Sequence, residues 1–184
     1  MKLVTREEIM DYVTYEERRE GIRAEVMELK KTLRVHLGSV LTFLFETKTT
    51  VRYQIQEMMR IEKIVKEADI QHEIDTYNQL LGKPGEVGCT LLIEIDDPAE
   101  RDVKLKELLG LPEKLYLTLT DGKKVYASFD SAQIGEDRLS AVQYLTFKTN
   151  GKQPVAIGSE HANLQLEVDL SKVQKEALAK IETD

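Results

Sequence analysis

Leu115-Tyr-Leu-Thr-Leu-Thr-Asp121-Gly122-Lys-Lys-Val-Tyr-Ala-Ser-Phe129 is the stretch that decides the fold class. Asp121-Gly122 divides two runs, Leu115 to Thr120 and Lys123 to Phe129. An Asp-Gly pair tolerates the positive φ angles that a tight hairpin turn requires, so the segment reads as two antiparallel strands. Downstream, Ala141, Gln143, Leu145 and Phe147 alternate with Val142, Tyr144 and Thr146, the period of a strand. Two more strands are expected at about Pro154 to Ile157 and Asn163 to Val168. Ser171 then caps a final helix with Val173, Ala177, Leu178 and Ile181 available for docking.

Upstream, Asp97-Pro98 opens a short helix to about Leu109, with proline at the first helical position. The apolar run Cys89 to Ile95 reads as a central strand. Leu33, Val35 and Leu37, then Leu41, Phe43 and Phe45, give two strands around Gly38-Ser39. Helices occupy the rest of the first half. Thr5-Arg-Glu-Glu8 is a capping box that starts one, with a break expected near Thr14. Tyr15, Ile22, Val26 and Leu29 carry a second piece to about Lys31. A third runs from Thr50 to Ala68 and a fourth from Ile70 to Leu81, ended by Gly82-Lys-Pro-Gly85. Helices first and hairpins second describe an α+β fold. Its helix-rich N-terminal half packs on a largely antiparallel sheet, with a C-terminal helix. The expectation is one domain over residues 1–184, with any internal boundary at 82–88 or 110–113.

The charge balance narrows the function. A net charge of −7 opposes nucleic acid as the main partner, because a duplex binder needs a concentrated basic surface. The basic residues Arg18, Arg19, Arg23, Lys30, Lys31 and Arg34 are interleaved with Glu16, Glu17, Glu20, Glu25 and Glu28, the pattern of a solvated helix face. The longest uncharged run is too short to cross a bilayer. The opening Met1 to Glu8 lacks the apolar core of a secretion signal. One cysteine, Cys89, excludes an internal disulfide and suits a reducing compartment, so a cytoplasmic protein is expected.

On a wheel at about 100° per residue, Val51, Ile55, Met58, Met59, Ile61, Ile64, Val65 and Ala68 form one apolar arc. Arg52, Gln56, Arg60, Lys63 and Glu67 lie opposite. Glu62 falls near the middle of the arc, and Gln54 and Glu57 fall within its limits. On the next helix Glu73 projects between Tyr77 and Leu80. A carboxylate buried there needs a partner: an arginine, a tyrosine hydroxyl, a metal or a second protein. The bland alternative leaves Glu62 near solvent or in a structural ion pair.

Tests for specific chemistry give little. Cys89 cannot complete a cysteine zinc site alone, and no Glu-x-x-His of the di-iron kind occurs. Asp69-x-x-His72 and His72-x-x-Asp75 have helical spacing but no third ligand, so no metal and no cofactor is assigned. Cys89, opening an apolar strand, reads as buried and inert. Gly82 to Gly88 follows a helix and precedes a strand, the reverse of a phosphate cradle.

Val35-His36-Leu37-Gly38, Leu41-Thr-Phe-Leu-Phe-Glu46, Thr50-Val-Arg-Tyr-Gln-Ile-Gln-Glu-Met-Met-Arg60, His72-Glu-Ile-Asp-Thr-Tyr-Asn78 and Leu91-Leu-Ile-Glu-Ile95 together resemble a bacterial family of unknown function. The resemblance covers nearly the whole chain and is most specific around Val51 to Met59. The loop Gly82 to Gly88 departs from the family's usual form. The family's genes often neighbour those for rubrerythrin and a heterodisulfide-reductase-like iron–sulfur protein, which implies a link to redox or peroxide metabolism by association alone.

Three functions remain open at this level, one of them a ligand-sensing or structural domain with no redox link. The first is a non-catalytic accessory protein that binds a redox partner, or itself, through Arg52, Gln54, Glu57, Glu62, His72, Glu73, Asp75 and Tyr77. Tyr53 and the methionine-rich helix surface suit a homodimer. The second is a small-molecule or metal-dependent enzyme with its pocket between helices and sheet, Glu57 or Glu62 serving as base or ligand and His72 as acid or second ligand.

Overall fold

The computed structural model describes residues 3–181. Its eight strands are β1 (Arg34–Leu37), β2 (Leu41–Phe45), β3 (Glu86–Ile93), β4 (Leu115–Leu119), β5 (Lys124–Ser128), β6 (Val142–Lys148), β7 (Pro154–His161) and β8 (Leu164–Asp169). Five helices accompany them: α1 (Tyr12–Leu33), α2 (Lys48–Glu62), α3 (Glu67–Asn78), α4 (Pro98–Glu107) and α5 (Lys172–Ile181). The fold is α+β, as the order of helical and hairpin patterns predicts.

All strands pair antiparallel in the order β1-β2-β3-β6-β5-β4-β7-β8. Three pairs are sequence neighbours joined by tight turns. Gly38 (φ 66°) turns β1 into β2, and Gly122 (φ 78°) turns β4 into β5. Long-range pairings join β2 to β3, β4 to β7 and β3 to β6, the last from Glu86 opposite Lys148 to Leu92 opposite Val142. Curvature brings the two edge strands together, so the sheet is nearly a barrel. Leu164 and Leu166 of β8 crowd Gly38 beside β1. The Gln174 amide of α5 donates to the Arg34 carbonyl of β1 at 2.7 Å.

The inward face of the sheet carries Val35, Leu37, Phe43, Phe45, Leu91, Leu117, Phe147 and Ile157, all buried, and Leu178 and Ile181 of α5 join them. Val173, expected to dock with them, is 55% exposed. A second apolar cluster lies in the helical half, where Val4 and Ile9 pack with Val51, Ile55, Met59, Ile70, Ile74 and Leu81. Two amides fasten the N-terminal segment onto it. Asn78 accepts from the Val4 N–H and donates to the Val4 carbonyl, both at 2.9 Å. Gln56 does the same for Met10, at 2.6 and 3.2 Å.

Several helix limits differ from expectation. The capping box of Thr5 and Glu8 is present, but it opens only a 3-10 turn over Arg6–Glu8. The break falls before Asp11, whose side chain caps α1, and α1 continues through Thr14 and Gly21 to Leu33. The expected helix from Thr50 to Ala68 ends at Glu62, because Lys63 adopts a left-handed conformation (φ 55°) and its N–H closes on the Met59 carbonyl. Gly82 and Gly85 have positive φ, as turn residues should. Gly88 has a packing reason: a Cβ there would overlap the Leu80 carbonyl oxygen.

Candidate functional site

The end of α2 at Lys63 redistributes the polar residues that the helical wheel placed together. Glu62 is the last residue of the helix and is exposed, so the expectation of a carboxylate inside the apolar arc is corrected. Ile61 and Val65, assigned to that arc, are 63% and 69% exposed. Gln56, assigned to solvent, is buried as the clasp on Met10. Val65 was misplaced because the helix was extended across the turn at Lys63, whereas Ile61 and Glu62 sit in the last two positions of α2, beyond the packed part of its face, and Gln56 is covered by the N-terminal segment that it clasps.

Glu57 is the predicted site residue that the structure surrounds most completely. It points at α1, where its Oε1 accepts from the Tyr15 hydroxyl at 2.6 Å and from Arg19 Nε at 2.7 Å. Its Oε2 accepts from Arg19 Nη2 at 2.9 Å. One turn further on, Arg60 pairs with Glu16 at 2.6 Å. The Arg19 hydrogen bonds hold the Glu57 carboxyl below the usual carboxylate range against the opposing effect of burial. Burial, then the bond to Glu57, pushes the Tyr15 hydroxyl up. Arg19 belongs to the charge run read as a solvated face, so that reading fails at this position.

The other predicted residues divide. Gln54 of α2 hydrogen-bonds the half-buried Tyr77 of α3, with Glu73 and Glu62 near enough to act on it through charge alone. Burial raises the Tyr77 hydroxyl's pKa, the Gln54 hydrogen bond opposes that rise, and Glu73 and Glu62 add to it. Arg52, His72 and Asp75 are exposed, Asp75 accepting from the Gln71 amide at 2.8 Å. Among the described residues no three His, Cys, Asp or Glu side chains are grouped to hold a metal ion.

A second polar centre, absent from the sequence reading, lies where helices meet sheet. Glu46 directly follows β2 and is only 6% exposed. Its two oxygens accept from Thr90 Oγ1 of β3 and Thr50 Oγ1 of α2, each at 2.6 Å. Lys30 of α1 is half-buried nearby, its Nζ 5.5 Å from the centre of the Tyr53 ring. Burial pushes the Lys30 ammonium down, Glu46 pulls it up and Arg34 pushes it down again. Cys89 is buried in the adjoining strand, and burial, with Glu46 adding to it, pushes its thiol up. The signal available in the sequence was an acid at the end of an apolar strand, with threonines at 50 and 90 able to satisfy it.

A third centre lies at the other end of β2. His36 Nδ1 lies 2.9 Å from the hydroxyl of buried Thr42, which donates to Glu94. Here the hydroxyl lies between imidazole and carboxylate. In a hydrolytic triad the imidazole is the middle member and takes the hydroxyl proton. This order therefore builds a hydrogen-bond chain, not a nucleophile.

A model of one protein family matches residues 3–182, and its description is "Protein of unknown function (DUF3501)". The chain belongs to the DUF3501 family. The crystal structure of a novel protein of unknown function from Burkholderia pseudomallei K96243 is similar, at 30% identity and a TM-score of 0.89, over 98% of this chain and 99% of that one. The whole described fold is therefore shared with that protein, barrel-like sheet and helical half together. No curated protein matches the chain. The family assignment agrees with the resemblance drawn from the sequence and adds no activity to it. Among the described residues no helix is long and apolar enough to cross a membrane.

Proposed function

We propose that this DUF3501 protein is a non-catalytic accessory protein of the cytoplasm, which binds a redox protein partner through its helical half. The observation that carries this reading is the state of Glu57. A general base must be free to take a proton near working pH. Glu57 is instead held charged and accepts from three donors on Tyr15 and Arg19, so it serves to join α1 to α2. The buried thiol of Cys89 is likewise unsuited to attack, since the thiolate is the reactive form. The same helical half exposes large apolar side chains: Tyr12 and Val13 at the start of α1, Ile61 and Val65 about the α2–α3 turn. The redox assignment rests on the gene association implied by the sequence resemblance.

The test is sedimentation velocity of the purified protein alone, with rubrerythrin, and with the heterodisulfide-reductase-like protein of the same source. A complex with either, weakened by Ile61→Asp or Val65→Asp, supports the reading. A chain that sediments unchanged in both mixtures would overturn it.

An enzyme acting on a small molecule is the second reading. It is favoured by the polar cluster of Lys30, Glu46, Thr50 and Thr90 between helices and sheet, in place of Glu57 or Glu62 with His72. Native mass spectrometry of protein purified without chelator separates the two. A stoichiometric mass excess moves the enzyme reading ahead, and a bare chain mass leaves the accessory reading in front.

A further inference from the structure

Lys30 and Arg34 lie one helical turn apart, Lys30 in the last turn of α1 and Arg34 at its C-cap as the first residue of β1. Both are half-buried. Among the described residues, neither has a carboxylate oxygen within 4 Å. Their neighbour Lys31, by contrast, pairs with Glu28 at 2.5 Å. Glu46 is near enough to act on Lys30, but its two oxygens are engaged by Thr50 and Thr90.

The C-terminal dipole of α1 favours cations in its last turn and accounts for lysines at 30 and 31. It does not account for Lys30 being drawn against the Tyr53 ring, where its charge is opposed both by lost hydration and by Arg34. Tyr53 is itself only 7% exposed, and its hydroxyl makes no hydrogen bond to a described residue without being sealed from solvent. Two cations and one engaged carboxylate leave a single positive charge in excess among the described residues of this junction, in a chain that is strongly acidic as a whole.

We infer that Lys30 and Arg34 bind the carboxylate of a small monocarboxylic acid at the junction of α1, β1 and α2, with the Tyr53 ring as one wall. The guanidinium fork of Arg34 matches the two oxygens of a carboxylate, and the ammonium of Lys30 adds a point charge. A single negative charge neutralises the excess. This inference is independent of the redox reading: the site needs no protein partner.

The experiment is an NMR titration of isotope-labelled protein with acetate, then benzoate, then inorganic phosphate, at constant ionic strength. The resonances followed are the Arg34 guanidinium and the Lys30 side chain. Acetate or benzoate should give saturable shifts at both residues. Arg34→Lys, which keeps the charge and loses the fork, should weaken binding about tenfold. Lys30→Met should weaken it as well, and Lys172→Met, at an exposed position at the start of α5, should leave it unchanged. Folding of each variant is checked in the same spectra, and Arg34→Lys and Lys30→Met are separate tests should either fail. Linear shifts with both carboxylates, saturation by phosphate alone, or an affinity unchanged from the unsubstituted protein in both Arg34→Lys and Lys30→Met would each overturn the inference.

Discussion

Tyr15 of α1 donates to Glu57 of α2 at 2.6 Å, and the same oxygen accepts from Arg19 at 2.7 Å. One carboxylate thus holds two turns of the neighbouring helix. Tyr15→Phe and Glu57→Gln should each destabilise the fold, and the double variant should lose less than the sum. A coupling of about 1–2 kcal/mol is expected for a hydrogen bond to a charged group, read from a double-mutant cycle in urea. Strict additivity would show that the contact contributes nothing.

The same residue sets a pH dependence. Glu57 is held below its ordinary 4.5. A carboxyl with a lowered folded-state pKa stabilises the fold above its unfolded value and loses that contribution as pH falls through the folded one. Unfolding free energy should therefore decline from about pH 4.5 downward. Glu57→Gln should flatten part of that decline, measured by denaturation across the acid range. An identical profile in the variant would assign the acid sensitivity to other carboxylates.

Three glycines give a graded test of packing. Gly88→Ala drives a methyl into the Leu80 carbonyl oxygen, which cannot yield without displacing the chain from β3. A loss of about 3 kcal/mol or more is expected. Gly158→Ala meets the Tyr116 ring at 2.5 Å and the Leu166 carbonyl oxygen at 2.9 Å, so Tyr116 must swing from under the Lys124 ammonium, 3.9 Å above it. Its loss should be smaller. Gly21→Ala lies in an exposed stretch of α1 with no atom near its Cβ, and should stabilise by about 0.5–1 kcal/mol. Thermal melts of the three variants should rank in that order.

Glu62→Leu should leave the melting temperature nearly unchanged, within the roughly ±0.5 kcal/mol typical of surface substitutions. A drop of several degrees would mean that Glu62 is engaged in solution in a contact that the exposed end of α2 does not make.

Asn78→Leu removes both hydrogen bonds to Val4 and leaves the hydrophobic contacts of Val4 and Ile9 in place. Amide exchange at Val4 should accelerate strongly while β3 and β6 keep their protection. Unchanged exchange at Val4 would show that apolar packing alone holds the N-terminal segment.

What could be read from sequence follows from the range of the interactions. Hairpins such as the one at Asp121-Gly122 are encoded by residues in contact with their neighbours, and the sheet's antiparallel character follows from them. The stop at Lys63 carries no glycine, asparagine or proline, so nothing local marked it. The error then spread, because every residue after Glu62 was assigned a face from a helix that had ended. Glu57 was legible as an inward polar residue, but its partners Tyr15 and Arg19 are about forty positions away, and pairing at that distance leaves no trace in one sequence. Glu46 was missed for the same reason: Thr90 lies across a strand pairing that only the folded sheet creates.

The link from Gln174 to the Arg34 carbonyl joins residues 140 positions apart. Arg34 opens the first strand and Gln174 sits in the last helix, so this contact has a consequence for synthesis. A ribosome releases the β1–β2 hairpin long before the residues that close the seam beside it. While the chain is still being made, that outer edge has no α5 to satisfy it. The nascent protein must carry an open sheet until its last helix emerges, and a chain halted before Gln174 would expose the Arg34 carbonyl to any strand nearby.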